Sequence, residues 1–232
     1  MISKSDIHVF VPAYNEESAI GDVLEALRRS GYGHLHVIDD GSTDRTVVRV
    51  RAAGATLVQH LINRGVGAAT QTGIEWARKA SCPYMILMDA DGQHLPEDIE
   101  LLMQRMSKGD CDIVIGSRFL GDLSAMPRSR RGLNRLANGL TNLFCKYNYS
   151  DTQSGFRMLN RKAIETLQLS LDEYGFCSEM IILAERLDLK IVEVPTQVVY
   201  TAYSLGKGQD FFTGIRTAFK LLWKVVSLVG RN

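Results

Sequence analysis

Two carboxylates separated by one residue follow a short apolar segment near the middle of this 232-residue chain. The apolar run 85–88 predicts a buried strand, and Asp89 and Asp91 come directly after it. Their mutual repulsion must be offset by a cation or by hydrogen bonds. Oxygen ligands suit Mg²⁺ or Mn²⁺, and such an ion can carry phosphate oxygens. The simpler alternative is that the two residues only cap the helix predicted to begin near Pro96.

The composition predicts one compact domain that requires no unusual environment. Hydrophobic residues make up 45% of the chain and charged residues 23%, with a formal net charge of +1. This charge gives no overall reason to expect nucleic-acid binding. No signal peptide and no bilayer-length apolar stretch is found. The cysteines are too widely spaced for a zinc site or a disulfide framework, which favours the cytoplasm: Cys82, Cys111, Cys145 and Cys177.

The first half alternates short apolar runs with amphipathic runs. Strands are predicted at 8–12, 34–39, 55–60, 84–88 and 112–116, and helices at 17–29, after Ser42 or Thr43, at 67–79 and at 96–107. This alternation predicts an α/β fold with a doubly wound, parallel sheet. Ligands bind such sheets at the carboxyl ends of the strands.

Polar residues follow three of these strands, at ends that right-handed crossovers bring to one edge. The second strand is followed by Asp39 and Asp40, which in the simplest interpretation form a turn and a helix cap. Two acids exceed what a turn requires, so a carboxylate there could accept from a base N–H or a ribose hydroxyl. The Gly-rich segment 63–67 could present backbone N–H groups to a phosphate, although it has neither dinucleotide-binding nor P-loop spacing.

Several motifs in a fixed order resemble those of known enzymes. VPAYNEE at 11–17, DDGSTD at 39–44, NRGVGAA at 63–69 and DADGQH at 89–94 together resemble the family 2 glycosyltransferases with a GT-A fold. GSR at 116–118, an arginine-rich loop around 128–135 and DTQSGFRMLNR at 151–161 narrow this to the polyprenyl-phosphate glycosyltransferases, the group that contains dolichyl-phosphate mannose synthase. The resemblance extends from about Val9 to Gln209.

The resemblance implies a Rossmann-like, mostly parallel central sheet flanked by helices, and a nucleotide-diphospho-sugar donor such as a GDP- or UDP-hexose. It also implies Mg²⁺ or Mn²⁺, held on the diphosphate by Asp91 and Gln93, while Asp89 approaches the ribose. The ion would neutralise charge on the departing diphosphate. The predicted nucleotide-sugar pocket comprises Pro12, Tyr14, Glu16, Asp39, Asp40, Gly67, Asp89, Asp91, Ser154 and Lys207.

Five arginines lie within one short region: Arg118, Arg128, Arg130, Arg131 and Arg135. They form either a solvated basic face, a disordered loop or an anion clamp, since guanidinium groups bind phosphate oxygens bidentately. By resemblance, Arg118 and Arg131, with Arg128 nearby, would hold the acceptor's phosphate.

A phosphate monoester is already an anionic nucleophile, so positioning and electrostatics would suffice for inverting transfer. The predicted catalytic residues are therefore Asp91, Arg118, Arg131 and Asp151. Asp151 and the turn 154–157 could contact the sugar, and Asp151 could also be a base for a hydroxyl acceptor.

The last part of the chain departs from the family pattern. Thr201 replaces an arginine that lies six residues before the retained Lys207, so either Lys207 acts alone or the acceptor differs. Residues 210–232 follow the predicted 1–209 catalytic domain and have the pattern of a basic amphipathic helix. Such a helix suits the plane of a membrane interface, here at the cytoplasmic face. It could instead pack on its own domain, on an integral membrane partner or on a second copy.

The leading hypothesis is metal-dependent transfer of a sugar from a nucleotide-sugar to dolichyl or undecaprenyl phosphate. One alternative keeps the fold and donor but uses a hydroxyl acceptor in polysaccharide or glycolipid synthesis. Another is a non-catalytic nucleotide-binding scaffold, and a sugar-nucleotide pyrophosphorylase is a weaker possibility. The residues do not identify the sugar, because hexose discrimination depends on a few hydrogen bonds to ring hydroxyls.

Overall fold

The computed structural model describes residues 2–172 and 175–200. These residues form a seven-stranded sheet with strand order β3-β2-β1-β4-β6-β5-β7. The strands are β1 (Ile7–Ala13), β2 (His34–Asp39), β3 (Thr56–Gln59), β4 (Tyr84–Leu87), β5 (Ile113–Ser117), β6 (Arg157–Asn160) and β7 (Ile191–Pro195). The helices are α1 (Ile20–Arg29), α2 (Thr46–Ala52), α3 (Val66–Lys79), α4 (Ile99–Met106), α5 (Arg128–Asn142), α6 (Arg161–Thr166) and α7 (Phe176–Arg186).

All neighbouring strands pair in parallel except β6, which is antiparallel to both β4 and β5. Helices cover both faces of the sheet, so the central strands are nearly continuous apolar runs. One buried cluster includes Val9, Val11 and Ile86, and the other includes Phe10, Met85 and Leu87. Successive side chains along a strand therefore pack on opposite faces of the sheet. This alternation fixes the register of the strands and hence the position of their ends.

The register brings the polar strand ends together at one edge. Ala13 is paired with Asp39 across β1 and β2, and Phe10 is paired with Leu87 across β1 and β4. The residues that follow β1, β2 and β4 therefore leave the sheet side by side. This edge is the carboxyl edge at which open α/β sheets bind ligands.

The predicted α/β class and mostly parallel sheet are confirmed, and all five predicted strands are present. Strands β6 and β7 were not predicted. The prediction of an arginine-rich loop at 128–135 is wrong, because these residues form the first two turns of α5. Pro127 directly precedes this helix, and a proline favours helix initiation because its fixed φ suits the first turn.

Two predictions for the end of the chain, Lys207 and the helix at 210–232, lie outside the described residues, as does the domain boundary at 209. Within the part of the chain that the structure describes, no helix is both long enough and apolar enough to cross a membrane.

Candidate active site

Asp91 lies at the carboxyl edge of the sheet in the turn after β4. Its Oδ1 accepts a hydrogen bond from the backbone N–H of Gln93 at 3.0 Å, and its Oδ2 accepts from Gln93 Nε2 at 2.6 Å. Burial raises the pKa of the Asp91 carboxyl, and the negative charges of Asp89 and Glu16 raise it further. A site that disfavours its own ionised carboxylate in this way is stabilised by a bound cation.

Asp89 differs from Asp91 because positive groups surround it. Its Oδ2 lies 3.2 Å from His94 Nε2. Burial raises the pKa of Asp89, but the hydrogen bond and charge of His94, together with the charges of Arg118 and Arg157, outweigh burial and lower it. Gly155 also lies against this carboxylate, since a Cβ at that position would be 2.7 Å from Asp89 Oδ1. Asp89 is therefore held as an anion, and only a glycine at 155 permits its position.

The donor atoms of this turn fit a hard divalent cation such as Mg²⁺ or Mn²⁺. No cluster of three or more His, Cys, Asp or Glu side chains among residues 2–172 and 175–200 forms a complete metal site. Mg²⁺, however, commonly takes only one or two carboxylates and completes its coordination with substrate phosphates. Gln93 donates its amide N–H to Asp91, which leaves its carbonyl oxygen for an ion.

The two acids that follow β2 have different surroundings. Asp40 is buried, and its carboxylate accepts from the backbone N–H groups of Arg64 at 3.0 Å and Gly65 at 2.7 Å. Its Oδ1 also lies 2.7 Å from His60 Nδ1. Asp40 thus fixes the 60–65 loop, so its hydrogen-bonding capacity is used within the protein. This geometry does not support the prediction that Asp40 lines the nucleoside pocket.

Asp39 retains the free acceptor that Asp40 lacks. It is fully buried, and its Oδ2 accepts from the backbone N–H of Ser42 at 3.2 Å. Its Oδ1 has no hydrogen-bond partner among the described atoms. Because an unpaired buried carboxylate oxygen is costly, this atom is the best candidate at this edge to accept a nucleoside N–H or hydroxyl.

The segment after β1 packs against the segment after β2. The backbone N–H of Asn15 donates to Ser42 Oγ at 2.9 Å, and that of Glu16 donates to Thr46 Oγ1 at 2.8 Å. Tyr14 is 43% exposed beside this contact. Pro12 and Tyr14 flank Ala13, the residue of β1 that is paired with Asp39, so the ends of the two strands lie side by side.

Most backbone N–H groups at the Gly-rich entry to α3 are used within the protein. The backbone N–H groups of Gly67 and Ala68 donate to the carbonyl of Asp172, at 2.8 and 3.2 Å. Those of Arg64 and Gly65 donate to the Asp40 carboxylate, so four N–H groups that could bind a phosphate are occupied. The predicted contact of Gly67 with the nucleotide is therefore not supported by this arrangement.

Arg118 and Asp151 form a buried ion pair on the basic side of the site. Arg118 Nε and Nη2 donate to the two carboxylate oxygens at 2.6 and 2.8 Å, and the Arg118 backbone N–H donates to Oδ2 at 3.0 Å. Burial alone would lower the pKa of Arg118, but the Asp151 carboxylate outweighs burial and raises it. Both oxygens of Asp151 are occupied, so this geometry does not support a role as a base for a hydroxyl acceptor.

The predicted sugar-contacting turn 154–157 is buried instead. Ser154 donates its hydroxyl to the carbonyl of Gly116 at 2.7 Å. The Arg157 side chain is completely buried in β6 and donates to the carbonyls of Ser154 and Thr152, at 2.9 and 3.0 Å. These side chains support the loop around Asp151 and do not reach an open surface.

The arginines of α5 have separate surroundings. Arg131 donates from Nη2 to the carbonyl of Leu123 at 2.5 Å, while its buried Nε has no partner among the described atoms. Arg128 is exposed, with no hydrogen bond to the site within the described residues. The Arg130 guanidinium lies 5.8 Å from the ring centroid of Tyr200, and the charges of Arg118 and Arg130 both act on this tyrosine. Arg130, rather than Arg128, therefore extends from α5 towards Arg118.

Tyr200 was not predicted from the sequence to be a site residue. The segment 196–200 crosses the turn that carries Gln93, and the backbone N–H of Val199 donates to the Gln93 carbonyl at 2.9 Å. The charges of Arg118 and Asp91 consequently both act on the Tyr200 hydroxyl. No local pattern identifies this residue, because its position depends on the path of the chain after β7.

Comparison with known proteins agrees with the geometry. Residues 8–168 match the model of "Glycosyl transferase family 2". An uncharacterized protein of Methanocaldococcus jannaschii is 38% identical over 97% of this chain and 94% of its own length. The UDP-N-acetylglucosamine–dolichyl-phosphate N-acetylglucosaminyltransferase of Methanococcus voltae is 32% identical over 93% of this chain and 94% of its own length.

A solved structure shares the fold. Glucosyl-3-phosphoglycerate synthase from Mycobacterium tuberculosis superimposes with a TM-score of 0.74 at 21% identity, covering 95% of this chain and 78% of its own. The expected GT-A architecture is confirmed by this likeness and by the sheet order. Since the family model covers most of the chain and includes the acidic turn after β4, the protein belongs to glycosyl transferase family 2.

Proposed function

We propose that this protein transfers a sugar, with inversion, from a nucleotide-diphospho-sugar to a polyprenyl phosphate, with Mg²⁺ or Mn²⁺, at the cytoplasmic face of a membrane. The observation that carries the proposal is that an acidic half of the site, around Asp89 and Asp91, lies beside a basic half, around Arg118. Gly155 lies against the Asp89 carboxylate, and the loop that carries Gly155 also carries Asp151, which is bound to Arg118. In agreement with this geometry, the charge of Arg118 lowers the pKa of Asp89. The two halves are therefore close enough to hold two reactants against each other.

The acidic half suits the donor. Asp91 and Gln93 supply oxygen atoms for a divalent ion, which would stabilise the negative charge that develops on the departing diphosphate. Asp89, kept ionised by His94 and its cationic neighbours, would accept a ribose hydroxyl. Asp39 would accept from the base through its unpaired Oδ1.

The basic half suits a phosphate acceptor. Arg118 is locked in orientation by Asp151, and Arg130 lies against Tyr200 beside it. An acceptor phosphate oxygen is already anionic at neutral pH, so it needs a fixed cation more than it needs a base. The engagement of both Asp151 oxygens weighs against the hydroxyl-acceptor alternative, which requires a free base.

The names of two relatives indicate which sugar donors and which acceptors to test first. The methanococcal relative is named for UDP-N-acetylglucosamine and dolichyl phosphate. A relative from Mycolicibacterium smegmatis is named polyprenol monophosphomannose synthase. We therefore propose a UDP- or GDP-linked hexose or N-acetylhexosamine as the donor, and a polyprenyl phosphate as the acceptor.

A radiolabelled donor panel tests the proposal. The purified chain is incubated with UDP- and GDP-sugars and with dolichyl or undecaprenyl phosphate, in Mg²⁺, Mn²⁺ or EDTA. We expect label to enter the lipid phase only with metal and phosphorylated lipid, and not with the corresponding polyprenol. Transfer to the polyprenol or to a glycan would support the hydroxyl-acceptor alternative, and nucleotide binding without any transfer would support a scaffold.

A further inference from the structure

Helix α5 exposes large apolar side chains on its outer side. Leu136 is 61% exposed and Leu143, just after the helix, is 76% exposed. The two positions are seven residues apart, which places them on one side two turns from each other. Tyr147, 69% exposed, follows in the same part of the chain. A surface helix normally turns such residues towards the core, so this exposed line requires an explanation.

The other side of α5 is anchored, which fixes the orientation of the exposed line. Asn138 is buried and its amide donates to the carbonyl of Ser150 at 2.6 Å. Thr141 is fully buried and its hydroxyl lies 2.8 Å from Ser178 Oγ. These buried polar contacts would be lost if the helix rotated to bury its leucines, so the leucines face outwards in the stable arrangement.

The same region carries only positive charge. Five Lys or Arg residues and no Asp or Glu lie between Asp122 and Asp151, although the whole chain has a net charge of +1. Arg128 and Arg135 are both exposed. Lys146 contributes less, because its Nζ lies 3.7 Å from Asp188. Exposed leucines beside exposed arginines are the combination that binds an anionic lipid surface.

The helix that carries this surface also contacts the candidate active site. The first turn of α5 carries Arg130, which packs on Tyr200. Asn138 also accepts a hydrogen bond from the backbone N–H of Thr152 at 3.0 Å, one residue beyond Asp151. A flat partner bound along the outer side of α5 would therefore lie on a helix whose first turn and buried side contact the basic half of the site.

We propose that the outer side of α5 docks on an anionic bilayer, with Leu136, Leu143 and Tyr147 in the apolar boundary and Arg128 and Arg135 at the headgroups. The inference rests in part on the proposed function, which places the acceptor's phosphate at a membrane surface. The positive charge of this surface argues against two other occupants, a second copy of the chain and residues 210–232. A symmetric pair of copies would bring the exposed arginines of the two copies together, and residues 210–232 are themselves predominantly basic.

Vesicle flotation of the full chain tests the surface without requiring turnover. Vesicles contain either phosphatidylcholine alone or phosphatidylcholine with phosphatidylglycerol. The double variant Leu136→Ser/Leu143→Ser removes the apolar line, and Arg135→Gln removes one charge. Leu101→Ser is the matched control, since Leu101 is an exposed leucine on α4 at 39%.

We expect the double variant to bind phosphatidylglycerol vesicles at least about tenfold more weakly than the unchanged chain. Arg135→Gln should weaken binding about fivefold on anionic vesicles and not on neutral ones. Leu101→Ser should change binding less than about twofold. Hydrogen exchange of the unchanged chain should show amides of 128–147 protected by anionic vesicles, a measurement that does not depend on the folding of a variant.

Equal flotation of the double variant, or no protection of 128–147, would overturn the proposal. A dimer of the unchanged chain that the double variant converts to monomer would also overturn it in favour of self-association. Turnover with a detergent-soluble short-chain polyprenyl phosphate should remain unchanged in the leucine double variant. Loss of vesicle binding with intact turnover thus tests the surface, while absence of turnover in the unchanged chain tests the proposed function.

Discussion

Replacing Asp91 by Asn should separate two effects of this carboxylate: the stability that it costs the metal-free protein, and the stabilisation that it provides when metal and nucleotide bind. The pKa of Asp91 is raised above its ordinary value, chiefly by burial and then by the charge of Asp89. A raised carboxyl pKa means that the folded state resists ionisation, so stability is lost as the pH rises through that pKa. At pH 7 without metal, Asp91→Asn should therefore melt at the same temperature as the unchanged protein or at a higher one.

With metal and nucleotide bound, the unchanged protein should instead melt at a higher temperature than Asp91→Asn. A ligand at 100 times its dissociation constant stabilises the folded state by about 2.7 kcal/mol. For a chain of this size that corresponds to an increase in melting temperature of about 5–10 °C. Asp91→Asn should lose most of this increase, because the ion loses its charged ligand, and turnover should fall by about 100-fold or more.

Differential scanning fluorimetry with Mn²⁺ and UDP, with and without EDTA, measures both effects. Asp22→Asn, which alters an exposed acid on α1, is the control and should keep the ligand-dependent increase. Our assignment of Asp91 as a metal ligand is refuted if the variant retains both the metal-dependent increase and its turnover.

Three further predictions concern other groups. Arg118→Lys, which cannot bind Asp151 bidentately, should lower kcat/KM for the acceptor about 10- to 100-fold, and initial rates within twofold of the unchanged enzyme would contradict this. Gly155→Ala places a methyl 2.7 Å from an Asp89 oxygen and should raise the dissociation constant of the metal–nucleotide complex, measured by calorimetry, whereas Gly139→Ala meets open space and should not. Burial, followed by neighbouring histidines, lowers the pKa of His36 to about 4, so about 3 kcal/mol of stability should be lost as the pH falls from 6.5 to 4. Urea unfolding across that range should show a smaller decline in His36→Leu, and an unchanged decline would exclude the histidine as its cause.

The sequence predicted those parts of the fold that local pattern determines. Strands β1 to β5 are apolar runs of the expected length, and the parallel sheet follows from their alternation with helices. The antiparallel β6 was not predicted because it has only four residues and begins with a buried arginine, Arg157. Helix α5 was not predicted, because the family resemblance placed an arginine-rich loop at 128–135, although arginine is a good helix former.

The contents of the site were predicted better than their roles. The acids after β2 and β4 do reach one edge, as the crossover rule requires. Which acid keeps a free oxygen depends on contacts that composition does not reveal. Asp40 is occupied by N–H groups 24 and 25 residues away, and Asp151 by an arginine 33 residues away. Such pairings emerge only when the loops are placed in three dimensions.

Within the part of the chain that the structure describes, Arg157 is a buried arginine that makes no hydrogen bond to a carboxylate. Arg157 is completely buried, its hydrogen bonds go to backbone carbonyls, and burial lowers its pKa. A buried guanidinium is costly unless its charge is used, because its desolvation is only partly repaid by neutral carbonyls. Its charge adds to the hydrogen bond and charge of His94 and to the charge of Arg118, which together lower the pKa of Asp89. Burial and the charge of Asp89 raise the pKa of Asp91, so a cation bound between the two carboxylates would stabilise both charges. We therefore infer that Arg157 stabilises the protein less than a hydrophobic residue of its size would, and that its charge helps to keep Asp89 ionised beside Asp91.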